Sequence, residues 1–132
     1  MRDTYDACHI AVPARDLDEA VEYYVFGLGV KMARRYADRV TFDFFGDQLV
    51  CHLSDDVPDE AVMYPRHFGV SFARAEDFDR LVRLVQTRKL KVLSGPSVRF
   101  EGTAEQHRTL ALVDPSNNVL EFKNYDDPRL QF

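Results

Sequence analysis

The chain has 132 residues, 45% hydrophobic and 30% charged, which fits one globular domain and excludes a disordered segment. Its formal charge of −5 lacks the basic excess that a nucleic-acid backbone demands, and no apolar run reaches the roughly 20 residues that span a bilayer. Two cysteines are too few for a disulfide scaffold, and no long apolar stretch follows Arg2, so a cytoplasmic protein without a signal peptide is expected.

The first predicted strand is His9-Ile10-Ala11-Val12. A helix follows from about Asp16, which can cap the free backbone N–H groups, with Glu19 completing a capping-box pattern. Leu17, Ala20, Val21, Tyr24 and Leu28 recur at helical spacing, and Gly27 and Gly29 read as stops. Three strand-like runs come next, at residues 30–36, 39–45 and 47–53, with Gly46-Asp47 as a turn. The pattern then restarts. His67-Phe68-Gly69-Val70 repeats the order histidine, apolar, small, valine, 58 residues after His9. A second helix carries Phe78, Leu81, Val82 and Val85, with Glu76, Asp77 and Asp79 at its start and Arg88, Lys89 and Lys91 at its end, as the helix dipole favours. Strand runs follow at 90–93, 107–113 and 119–125, with 94–106 read as an insertion and Asp114–Asn118 as a turn. The predicted fold is α+β: two βαβββ modules, about residues 5–54 and 65–125, in a single domain spanning 1–132. A half of roughly 60 residues covers a sheet face poorly by itself, so the copies are expected to pack together, within one chain or across a dimer.

Side chains alternate faces along a strand, so parity shows what surrounds each polar residue. His9 shares a face with Ala7 and Ala11, and His67 shares one with Gly69 and Ser71. His52 and Glu121 also lie away from the bulky residues of their strands. A packed core would fill such faces with large side chains; a ligand-holding surface tolerates small ones. Two imidazoles and a carboxylate suit a divalent metal (Fe, Mn, Ni, Co or Zn) with coordination positions left open. A single strand histidine is more often an ordinary core or surface residue, and the match between His9 and His67 across the repeat is what sets these apart. Arg66, Arg99 and Arg108 are candidates to bind an anionic substrate, against the plainer reading of solvated surface arginine. Arg99–Gly102 is a candidate lid. Cys8 and Cys51 are expected as buried thiols on adjacent strands, and Tyr23 and Tyr24 as core or interface residues.

These segments, together with Asp16-Leu17-Asp18-Glu19-Ala20, Gly27-Leu28-Gly29 and Val113-Asp114-Pro115-Ser116-Asn117-Asn118-Val119-Leu120-Glu121-Phe122, resemble the vicinal oxygen chelate superfamily over about Tyr5 to Tyr125. That superfamily includes glyoxalase I, extradiol dioxygenases, and fosfomycin-resistance and bleomycin-binding proteins. The resemblance implies a curved, mostly antiparallel sheet around a central cavity. It carries the metal ligands onto His9, His67 and Glu121. His52 matches either the fourth ligand of glyoxalase I, normally a carboxylate or Gln, or the acid–base histidine of the dioxygenases. Asn117 stands where the family's turn has Gly, a mild departure because Asn tolerates left-handed backbone angles. Ala111 stands where the dioxygenases place a tyrosine. The implied function is a metal-dependent enzyme that binds a small molecule through neighbouring oxygens, acting as a homodimer. A dioxygenase-like reaction is slightly preferred for the imidazole at 52, ahead of a glyoxalase-like lyase or isomerase. A metal-free antibiotic- or small-ligand-binding protein is the alternative of a different class.

Overall fold

Each half of the chain builds its own four-stranded mixed sheet in the computed structural model, which describes residues 1–132 as two units, Met1–Asp59 and Glu60–Phe132. In the first unit, β1 (His9–Ala14) leads to α1 (Leu17–Val21), then β2 (Lys31–Arg35), β3 (Arg39–Phe44) and β4 (Asp47–Leu53). The sheet order is β1-β4-β3-β2, with β1 parallel to β4 and the other pairs antiparallel. The second unit repeats the plan with β5 (Phe68–Ser71), α2 (Ala75–Arg88), β6 (Val92–Arg99), β7 (His107–Val113) and β8 (Val119–Tyr125), ordered β5-β8-β7-β6 with β5 parallel to β8. No helix is long and apolar enough to cross a membrane.

Asp16 is the N-cap of α1: its carboxylate accepts from the backbone N–H of Asp18 at 2.7 Å and of Glu19 at 3.0 Å. Glu19 is taken up by Arg15 at 3.0 Å, so the predicted capping box keeps its forward half. Beyond Val21 the helix widens into a π-helix, Glu22–Gly27, in which the N–H of Leu28 donates five residues back to Tyr23 at 2.9 Å. Gly29, at φ 77°, then turns the chain away. The widened stretch buries both Tyr23 and Tyr24, and the Tyr24 ring packs 5.2 Å from Phe42 and 6.5 Å from Phe44. In the second unit α2 buries Phe78, Leu81 and Val85, while β7 and β8 bury Leu110, Leu112, Leu120 and Phe122. Each such side chain stabilises the unit by about 1.5–3 kcal/mol.

Two expectations are corrected. Residues 94–106 are not an insertion: β6 runs on to Arg99, bulged between Val92 and Ser97. Gly95-Pro96 would break a central strand, but β6 is the sheet edge, where a missing N–H costs no ladder bond. The candidate lid segment Arg99–Gly102 comprises the end of β6 and the start of its connection to β7, with Phe100 and Gly102 at positive φ. The cysteines are not a buried pair either. Cys51 is buried opposite Val12, whereas Cys8 is exposed ahead of β1.

Candidate functional site

In the second unit the parallel pairing of β5 with β8 sets Gly69 directly opposite Glu121. The strands approach so closely that a Cβ on Gly69 would lie 1.7 Å from the Glu121 carbonyl oxygen. His67, immediately before β5, thereby meets the Glu121 side chain, its Nε2 standing 3.0 Å from Oε2. Both groups are held from behind. The His67 Nδ1–H donates to the Met63 carbonyl at 2.8 Å, which leaves Nε2 as the nitrogen facing the carboxylate. Thr109 donates its hydroxyl to Glu121 Oε1 at 2.8 Å, fixing a carboxylate that is only 6% exposed. Lys123 Nζ is 3.7 Å from Oε2.

This pair fits a divalent cation. Two donors at right angles on a metal, each about 2.1 Å away, stand about 3.0 Å apart. An imidazole nitrogen and a carboxylate oxygen at that separation, each anchored through its other polar atom, have the arrangement of neighbouring ligands.

In the first unit His9 is exposed on β1, and Gln48 lies directly across from it on β4. The His9 Nδ1 is hydrogen-bonded to the Gln48 amide oxygen, so here too a carbonyl group holds one ring nitrogen and leaves Nε2 free. His52 is exposed on the same face but pairs with Pro13, four residues further along, or about 13 Å at strand rise. Thus Gln48, not His52, is the side chain beside His9. Within the chain no three His, Cys, Asp or Glu side chains gather into a metal-holding group; His67 and Glu121 are brought together as a pair.

The arginines separate. Arg66 is exposed. Arg108 is engaged as a strut on the helix face: it pairs with Asp79 at 2.6 Å, donates to Ala75 and Asn124 at 3.2 Å, and lies 4.6 Å over the Phe78 ring. A cleft of about 510 Å3 lined by Asp79, Arg108, Asn124 and Asp126 lies there, on the opposite side of the strands from Glu121. Arg99, by contrast, reaches the Tyr64 hydroxyl at 3.4 Å, and the Tyr64 ring stands edge-on to His67 at 5.7 Å. The hydrogen bond and charge interaction with Tyr64, and then the Glu121 carboxylate, raise the Arg99 pKa above its ordinary value. His107 is buried between Tyr125 and Phe100, with Nδ1 tied to the Glu105 carbonyl.

Two βαβββ units, each presenting a histidine whose Nδ1 is tied to a carbonyl oxygen, define a paired-module α+β protein. The sequence model of the Glyoxalase/Bleomycin resistance protein/Dioxygenase superfamily matches residues 8–122, and the chain belongs to that superfamily. It is 55% identical to a glyoxalase/bleomycin resistance protein/dioxygenase from Alicyclobacillus acidocaldarius, covering 100% of both chains at a TM-score of 0.96. The fold is also shared with a genomically encoded fosfomycin resistance protein from Listeria monocytogenes, at 14% identity and TM-score 0.70 over 90% of this chain and 92% of that one. A glyoxalase/dioxygenase from Nostoc punctiforme is similar at 20% identity and TM-score 0.67, over 90% of each chain.

Proposed function

We propose that the chain is a divalent-metal-dependent enzyme that captures a small substrate through two neighbouring oxygens, with His9, His67 and Glu121 as the metal ligands. The observation that carries this reading is the His67–Glu121 pair, 3.0 Å apart with each partner anchored from behind. His9 supports it, since its Nδ1 is held like that of His67. Two imidazoles and one carboxylate suit Fe, Mn, Ni, Co or Zn and leave positions open for substrate. A cation there would draw electron density from the substrate oxygens and so stabilise charge that develops on them. The chain's own residues do the rest. Met63 and Thr109 fix the ligand atoms, Gln48 orients His9, and His52, exposed on the same face of β4, is the candidate to take up or return a proton.

A dioxygenase-like reaction follows from the two-histidine, one-carboxylate set together with His52. A lyase or isomerase of the glyoxalase I kind is the second reading, favoured by Gln48 beside His9, because the resemblance to that enzyme calls for a carboxylate or Gln as its fourth ligand. Exposed apolar side chains on the edge strands, Met32 on β2 and Val92 and Val98 on β6, support a homodimer.

Metal analysis of protein purified without a histidine tag tests the site. Near-stoichiometric divalent metal in the native chain, lost in His9→Ala and in Glu121→Ala, is the expected result; unchanged metal in either variant removes that residue from the ligand set. Oxygen uptake with catechol-type substrates, set against turnover of a thiohemiacetal, separates the two reactions.

A further inference from the structure

Arg99 and Tyr64 start from opposite sides of the second sheet. β5 and β6 are its two edges, and three strand spacings make that distance about 14 Å. Tyr64 lies three residues before His67, Arg99 ends β6, and their side chains meet at 3.4 Å. They therefore meet across β7 and β8, the strands from which Thr109, Glu121 and Lys123 project on one face.

Arg99 is poorly satisfied for a guanidinium. Its hydrogen bond is a long one to the Tyr64 hydroxyl, and it makes no salt bridge within 4 Å, whereas Arg35, Arg80 and Arg108 each make one. The remaining N–H donors of its planar fork match a carboxylate or a tetrahedral oxyanion. Lys123 adds a second positive charge beside Glu121, its Nζ 3.7 Å from Oε2. Arg99 and Lys123 are thus two cations set near the single carboxylate of Glu121.

We propose that Arg99 and Lys123 form an oxyanion subsite beside the His67–Glu121 pair, so that the substrate carries an anionic oxygen group next to its reacting oxygens. The inference rests on the proposed function for what lies beside the subsite, while the subsite itself needs no cation. Tyr64 is its positioning residue, holding the arginine over the sheet.

The test is calorimetric titration of the full-length, metal-free protein with inorganic phosphate, with acetate and with uncharged hydroxyacetone, at constant ionic strength. Phosphate or acetate should bind the native chain and weaken on the order of tenfold in Arg99→Gln, with a smaller loss in Lys123→Met, because a charge-assisted hydrogen bond is removed. Hydroxyacetone should show no such dependence. Preference for phosphate identifies a tetrahedral oxyanion, and preference for acetate a carboxylate. Arg99 is exposed, so its variant should fold, which circular dichroism checks. Anion binding that is absent from the native chain, or equal in Arg99→Gln, overturns the subsite. Metal content measured on the same variants keeps the two ideas apart. Native metal content with anion binding indifferent to Arg99 sinks the subsite and leaves the enzyme reading; Arg99-dependent anion binding in a chain that takes up no metal does the reverse.

Discussion

Ala11 in the first unit and Gly69 in the second occupy the same place in the repeat, two residues after the histidine, yet they tolerate different side chains. Ala11 stands opposite Val50 and carries its methyl group on an exposed face. Gly69 stands opposite Glu121, where the same methyl group would fall 1.7 Å from a backbone oxygen. The two sheets share an order, but β5 and β8 approach each other at a point where a Cβ has no room. That approach brings His67 to the Glu121 carboxylate. In the first unit the equivalent histidine meets the neutral amide of Gln48 instead. One repeat has thus become a histidine–carboxylate pair and the other a histidine–amide pair.

The largest expected effect breaks this contrast directly. Gly69→Ala forces backbone against backbone, with no flexible side chain to yield, and should cost about 3 kcal/mol or more, which is large against the total stability of a small domain. The reciprocal Ala11→Gly should cost about 0.5–1 kcal/mol, through chain entropy alone. Denaturant midpoints of the two variants measure both numbers. A Gly69→Ala protein that unfolds like the native chain would show that β5 and β8 do not approach as described.

A second, smaller effect sharpens the contrast at the ligand-holding groups. Thr109→Val keeps the shape but removes the donor to a buried carboxylate oxygen. On the proposed metal-dependent reading, loss of such a supporting hydrogen bond should lower metal affinity about 10–100-fold. Gln48→Met removes the support of His9, but His9 is exposed, so water can replace the amide and the loss should be smaller. Competition with a chelator ranks the two. Equal losses would mean that the buried and the exposed supports hold their ligands alike.

Much of this was legible in the sequence, and the exceptions have physical causes. Alternation along the strands and the turn residues mark β3, β4, β7 and β8 to within a residue, and Asn117 does adopt the left-handed conformation expected of it, at φ 61°. The parity of His9 and Glu121 correctly separates them from the bulky faces of their strands. Parity does not reveal register, however. Whether His9 stands across from Gln48 or His52 depends on how far the crossover carries β4 past β1, and both residues share a face. The extension of β6 is hidden because Gly95-Pro96 reads as a break unless the strand is known to be an edge. The π-helix at Glu22–Gly27 leaves the spacing of apolar residues intact and widens only the hydrogen-bond pattern. Arg108 reads as a surface charge because its partners, Asp79 and Asn124, come from elements far apart in the chain.

The smallest effect concerns how the two helices begin. Asp16 holds two backbone N–H groups of α1, so Asp16→Ala should cost about 1 kcal/mol. The equivalent position before α2 is Arg74, which has the extended backbone of an N-cap but makes no capping hydrogen bond. Its side chain instead reaches Glu76 at 3.6 Å, an exposed pair of little worth. Arg74→Ser should therefore supply an acceptor where none exists and stabilise the second unit by up to about 1 kcal/mol. Thermal melts of the two variants should move in opposite directions. The helix that lacks a cap is the longer one, and its buried Phe78, Leu81 and Val85 explain how it holds without one: packing secures α2, whereas α1, five residues long before it widens, depends more on its first turn. If Arg74→Ser gains as much as Asp16→Ala loses, the two N-caps contribute equally, and the difference between the helices lies wholly in the residues they bury.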